Sequence, residues 1–224
     1  MVTKERRPHV EAPELSEENT RNKILNAAGE IFAEYGFEGA TIRAITERAE
    51  VNVAAVNYHF RDKAELYNRV VLDACSARAA WHDTMAQATD SPEDRLRSLI
   101  SRFLEYMLGP DRPAWKRRLM AREMANPTTA LDELVEKNIR PLRDEFLMPT
   151  LRELTGGRFN RRQLSFIGSS VMGQCLYFHQ SRPIIERLNP DFKIGKAEIE
   201  EITDHITRFS LAAIAELTRQ ARRP

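Results

Sequence analysis

The stretch Thr41–Lys63, TIRAITERAEVNVAAVNYHFRDK, decides how this 224-residue chain is read. Thr41 stands where it can cap a short helix whose Ile42, Ile45 and Ala49 face inward. Asn52 caps the next helix, Val53 to about His59. Asp62, with Glu65 three residues on, forms a capping box for a longer helix past Leu66, Val70 and Leu72. Two short helices joined by a tight turn, followed by a capped third, spell a helix-turn-helix. Such a unit lays one helix in the major groove of DNA.

The residue types fit that use. A recognition helix must come close to base edges, so bulky leading residues would hold it off. Asn52, Val53, Ala54 and Ala55 are small or modest, while Val56 and Phe60 are spaced to hold the helix on its partner. Asn57 lies on the outward side and matches adenine N6 and N7. Arg43, one turn into the preceding helix, reaches a phosphate or a guanine; Tyr58, His59 and Lys63 can donate to phosphate oxygens. The helix starts at Thr41 and Lys63 also aim backbone N–H groups at an anion.

Outward from this stretch the helical period continues, and no alternating strand pattern appears. Upstream, Ile24, Leu25, Ala28, Ile31 and Phe32 form a stripe that Gly36 ends. Residues 1–18 read as a disordered tail without the apolar core of a secretory signal. Residues 19–66 read as the helix-turn-helix domain, and 67–224 as a larger helical domain for ligand binding and dimerisation. Trp81 falls near the last turns of the helix after Asp62. Downstream, Ser91-Pro92-Glu93-Asp94 starts a helix that Gly109-Pro110 stops. Helices follow from about Ala114 to Asn126-Pro127, from about Thr129 with kinks or breaks at Pro141 and Pro149, and from Asn160 to about Gln180. A loop over residues 182–196 precedes a last helix, about Ala197 to Arg219. The fold class expected is all-α, with two domains.

Composition narrows the function classes. Apolar residues make up 42 %, enough for a core, and the formal charge is only +1. Attraction to DNA must therefore come from local placement of charge. Between Arg21 and Lys63 acids match bases, so a positive face needs Arg43, His59 and Lys63 on one side and Glu30, Glu34 and Glu47 elsewhere. No stretch approaches the ~20 apolar residues of a membrane span. Cys75 and Cys175 read as two buried thiols of a reduced cytosol. His9, His59, His82, His179 and His205 show no metal-site spacing. No nucleophile–base motif, Walker loop or dinucleotide fingerprint occurs, so no enzyme and no cofactor are expected.

At these residues the sequence resembles the TetR family of bacterial transcriptional regulators. The matching positions run from Ile24, Phe32, Gly36, Thr41 and Ile45 to Tyr58-His59-Phe60 and Lys63. Arg122-Glu123-Met124 with Pro127-Thr128, and Tyr177-Phe178-His179, look like the branch with a CecR-type (YbiH-like) C-terminal domain. The resemblance implies a cytoplasmic homodimeric repressor, released from a palindromic operator in double-stranded DNA by a small-molecule effector. It carries Thr41, Tyr58, His59 and Lys63 over as backbone contacts and Arg43, Ala54 and Asn57 as base-facing. The alternative is a small-molecule-binding all-α protein or enzyme on the same fold, without specific DNA recognition. One departure stands in the turn Ala49-Glu50-Val51, where the family often has Gly at the middle place. There Glu50 would cost on the order of 1 kcal/mol if φ is positive.

Two further sites follow. Phe103, Met107, Trp115, Met120, Arg122, Glu123, Met124, Phe146, Met172, Cys175 and His179 are candidate pocket residues, since adaptable Met and aromatic walls suit varied ligands. Against this, His179 can be a satisfied helix histidine and Arg122-Glu123 a solvated face. For a dimer interface, Ile202, Ile206, Phe209, Ala213 and Leu217 on the last helix face Leu164, Ile167, Val171 and Phe178 on the 160–180 helix.

Overall fold

The computed structural model describes residues 13–75, 91–110 and 112–221, and every element among them is helical. In chain order these are α1 (Pro13–Gly39), α2 (Ile42–Ala49), α3 (Val53–His59), α4 (Lys63–Ala74), α5 (Pro92–Leu108) and α6 (Ala114–Ala125). Then come α7 (Thr129–Leu134), α8 (Met148–Leu154), α9 (Arg161–Gln180), α10 (Arg182–Leu188) and α11 (Lys196–Gln220). Trp81 and His82 lie outside the described residues. Helix α1 starts at Pro13, inside the segment expected as a tail.

The helices form two compact units. Among the described residues, those up to Cys75 together with Ala114–Glu133 make the first, and the rest make the second. The packing groups α6 with the first unit rather than with the residues around it in sequence. The grouping has a physical cause. Trp115, Leu119 and Glu123 recur every four residues on α6, all three are buried, and α6 packs on α1 and α4.

In the first unit Ile24, Ala28 and Phe32 of α1, Ile45 of α2, and Leu66 and Val70 of α4 are fully enclosed. Trp115 lies so close to α1 that a Cβ on Gly29 would stand 2.5 Å from its ring, which requires glycine there. Gly36 ends the regular part of α1 at φ 75°.

The second unit has an aliphatic core: Leu96, Leu99, Ile100, Leu104 and Leu108 of α5 pack with Leu151 of α8, Leu164 and Val171 of α9, and Ile202 and Ile206 of α11. Arg97 forks onto Glu200 and Asp204, tying α5 to α11 at the surface. Thr203, Thr207 and Thr218 sit buried on the inner face of α11 because each hydroxyl donates to the carbonyl four residues back, at 2.7–2.8 Å.

Two local expectations are corrected. Pro141 and Pro149 do not break the chain's helical course. Val135–Ile139 and Leu142–Leu147 widen to π turns, in which Arg140 N–H bonds Val135 O and Met148 N–H bonds Arg143 O. Proline has no N–H to contribute, and Pro141 keeps φ −59° at the junction of the two wide turns. Residues 182–188, expected as loop, form α10, which opens with Pro183 in its first turn.

Candidate DNA interface

The three caps predicted in this stretch are present, but Glu65 does not close the expected box with Asp62: its Oε2 accepts from Arg61 N–H at 3.1 Å. Thr41 Oγ1 accepts from Ala44 N–H at 3.1 Å, Asn52 Oδ1 from Ala55 N–H at 2.8 Å, and Asp62 Oδ1 from Glu65 N–H at 2.8 Å. This last bond is the main reason the Asp62 carboxyl sits below the usual carboxylate range. Helix α3 is held from behind by Val56 and Phe60, both buried. Its outer side presents Val53, Ala54, Asn57 and Tyr58, all exposed, Tyr58 at 72 %. That face carries no formal charge and no long side chain except Tyr58, whose ring meets His59 edge-on at 5.0 Å.

The turn between α2 and α3 holds the departure noticed in the sequence. Glu50 lies at φ 55°, ψ 44°, the one non-glycine residue with positive φ among the described residues. Its N–H still closes α2 by donating to Glu47 O at 3.4 Å.

The cations around α3 are partly engaged. Arg43 is highly exposed and bonds Glu47 at 2.8 Å; Arg48 pairs with Glu30, and Arg61 with Asp62. Lys63 Nζ donates to Ala40 O at 3.1 Å and stands 4.6 Å from the centre of the Phe37 ring. A lysine ammonium has three donors, so this bond leaves capacity for a phosphate oxygen. Arg21, on α1, lies 5.8 Å from the Phe60 ring and adds another positive group beside the end of α3.

The expected pocket residues separate. Phe103, Met107, Phe146 and Met172 are partly buried against the core of the second unit, which includes Cys175. His179 joins them, its Nδ1 3.1 Å from Met107 O, as a buried and bonded helix histidine. Burial pushes the Cys175 thiol up to about 12. Trp115, Met120, Arg122, Glu123 and Met124 belong to the first unit. Met124 is half-exposed, Arg122 donates to Glu34 O at 2.9 Å, and Glu123 is wholly buried. The Arg122-Glu123 pair is thus neither solvated together nor buried together. Glu123 Oε2 accepts from the Tyr67 hydroxyl at 2.6 Å, and its Oε1 from Thr128 N–H and Oγ1 at 2.8 and 2.9 Å. Tyr67, which sequence reasoning missed, is 56 residues away, and no local pattern announces such a pair.

The expected interface residues also divide. Leu164, Ile167, Val171, Ile202 and Ile206 are the inward faces of α9 and α11, and Phe178 packs partly against the same core. Phe209 at 60 % and Leu217 at 43 % exposure, with exposed Ala213, are outward. The outward residues of α9 are Phe166 at 61 % and Tyr177 at 54 %, with Gly173 open between them. Both helices are apolar on two sides, and period alone does not say which side is inside.

A capped helix-turn-helix in one unit, in a chain that carries a second and larger helical unit, is the build of a class of bacterial regulators. The family described as "Bacterial regulatory proteins, tetR family" matches residues 24–70. The family described as "HTH-type transcriptional dual regulator CecR, C-terminal domain" matches residues 92–214, more than half of the chain. This chain therefore belongs to the TetR family, in the branch with the CecR-type C-terminal domain. It is 28 % identical over 178 residues to the HTH-type transcriptional dual regulator CecR of Shigella flexneri, covering 75 % of this chain and 79 % of that one. It is 30 % identical over 119 residues to the HTH-type transcriptional repressor Rv1474c of Mycobacterium tuberculosis, covering 51 % of this chain and 57 % of that relative, a little over half of its length. The solved structure of the regulator FadR from Bacillus subtilis with stearoyl-CoA superposes with TM-score 0.64 at 12 % identity, covering 85 % of this chain and 97 % of that one. At that identity it shows a shared fold.

Proposed function

We propose that this protein is a cytoplasmic, homodimeric transcriptional repressor that binds a near-palindromic operator through α3 and leaves it when a small molecule binds. The observation that carries this reading is the build of α3. A short helix is gripped from behind by Val56 and Phe60 and offers small residues and Asn57 outward. Surrounding it are Thr41, Tyr58, His59 and Lys63, which can hold phosphates while Arg43 and Asn57 reach base edges. The named regulators among its relatives support the same reading. No helix among the described residues is long and apolar enough to cross a membrane.

Dimerisation uses the outward faces of α9 and α11, with Phe166 and Tyr177 against Phe209 and Leu217, in a two-fold bundle of four helices. The effector seats in the second unit beside Phe103, Met107, Phe146, Met172, Cys175 and His179. It can release DNA only by favouring the non-DNA conformation, so its affinity must fall when operator is bound, by the factor by which it weakens operator binding. The test is selection of duplexes from a randomised library. Near-palindromic sites with half-sites about 34–36 Å apart or somewhat more should be enriched. Absence of enrichment and of any duplex binding at low salt would refute the reading.

A further inference from the structure

The contacts around Phe37 link α6 to the phosphate-facing lysine. Glu123 of α6 is fully buried, and its carboxyl group holds the Tyr67 hydroxyl at 2.6 Å. Thr128 closes the other oxygen with two bonds, so the group is fixed from both sides. Tyr67 is itself buried, and its ring meets Phe32 at 4.9 Å and Phe37 at 5.1 Å, both edge-on. Phe37 in turn lies beneath the Lys63 ammonium at 4.6 Å. The same α6 grips the chain just before Phe37 a second time: Arg122 donates to Glu34 O, and its guanidinium lies against Gly36. Both grips act on the short segment from Glu34 to Ala40, whose last carbonyl accepts from Lys63 Nζ at 3.1 Å.

We propose that Glu123, Tyr67 and Phe37 are positioning residues for the DNA contact of Lys63, so that α6 completes the DNA-reading head. A lysine on a flexible four-carbon stem loses rotamer freedom when it binds a phosphate. A ring face below and a carbonyl beside it restrict that freedom beforehand, and preorganised contacts bind more tightly. The path from α6 to Lys63 lies wholly within the first unit and is made of packed, bonded groups. Any movement of α6 therefore reaches a DNA contact through two residues. This rests on the DNA reading above.

The test is a double-mutant cycle on the full chain, with a generic duplex of about 30 base pairs at low salt as the probe, where phosphate contacts dominate. Tyr67→Phe removes only the hydroxyl that Glu123 holds. It should weaken binding roughly three- to tenfold in the native background and less than about twofold beside Lys63→Ala. Phe37→Leu keeps most of the volume but removes the ring face, and should show the same dependence on Lys63. Melting temperatures identify a variant that fails to fold, in which case the other substitution decides. Equal losses with and without Lys63, or no loss, overturn the positioning role while leaving DNA binding intact. A native chain that binds no duplex removes the DNA reading itself, and this inference with it.

Discussion

Helix α3 and the outward faces of α9 and α11 both leave apolar side chains in solvent, but of different kinds. On α3 these are Val53 and Ala54, small and set beside Asn57. On α9 and α11 they are Phe166, Tyr177, Phe209 and Leu217, all large. Small residues let a helix approach a wet, polar groove without leaving a large apolar area exposed when it departs. Large ones favour permanent burial, since each buried aromatic removes a wide apolar surface from water. Exposure alone does not distinguish the two faces; side-chain size and the company of hydrogen-bonding groups do.

Charges placed on the inner and outer sides of α9 and α11 should have the largest and most different effects. Val171→Glu puts a carboxylate at a site 2 % exposed and should abolish folding, a loss of at least about 4 kcal/mol seen by calorimetry. Phe166→Glu with Phe209→Glu, both on the outward side, should leave the fold intact and yield monomers by sedimentation. A double variant that stays dimeric would place the interface elsewhere. On α3 the effects are smaller. Asn57→Ala should erode preference at one base pair by about 1–3 kcal/mol in competition binding, with melting unchanged. Loss of discrimination spread over many positions would argue that Asn57 supports the helix and does not read a base.

Smaller still is the turn that aims α3. Glu50→Gly removes the Cβ strain at φ 55° but adds freedom to the unfolded chain. The net should be a stabilisation of about 0.5–1 kcal/mol, read as a raised melting temperature. A lowered one would mean that the Glu50 side chain contributes to the turn. The least effect is expected at Asp62. Its folded carboxyl is held low by the Glu65 N–H, so its contribution is present above the unfolded value of about 3.9. That contribution is lost as pH falls through the lower folded value. The stability gap between the native chain and Asp62→Ala should therefore close below about pH 4. A gap that persists at pH 2 would show that the cap works without its charge.

The parts of this molecule legible in its sequence are those decided locally. Thr41, Asn52 and Asp62 were readable as caps because a cap bonds an N–H three residues away, and all three are found doing so. The positive φ at Glu50 was suggested only by resemblance to a family that often has Gly at that place, and the residue type left it open. What could not be read is set by distant packing. Helix α6 sits in the sequence of the second region, yet Trp115 over Gly29 and Glu123 on Tyr67 fasten it to the first unit. On α9 the helical period of Leu164, Ile167 and Val171 pointed to a partner face, and period alone cannot show that they lie inward while Phe166 and Tyr177 lie outward. Only the position of α5 and α11 decides which set is enclosed.

DNA binding by α3 and its flanking groups, with Lys63 on a phosphate, is the proposal on which the rest depends. Its most direct measurement is duplex affinity against salt concentration for the native chain and Lys63→Ala. The predicted result is weaker binding of every sequence and a logarithmic salt slope shallower by about 0.9, one phosphate contact. An unchanged slope accompanied by altered preference among sequences would contradict it.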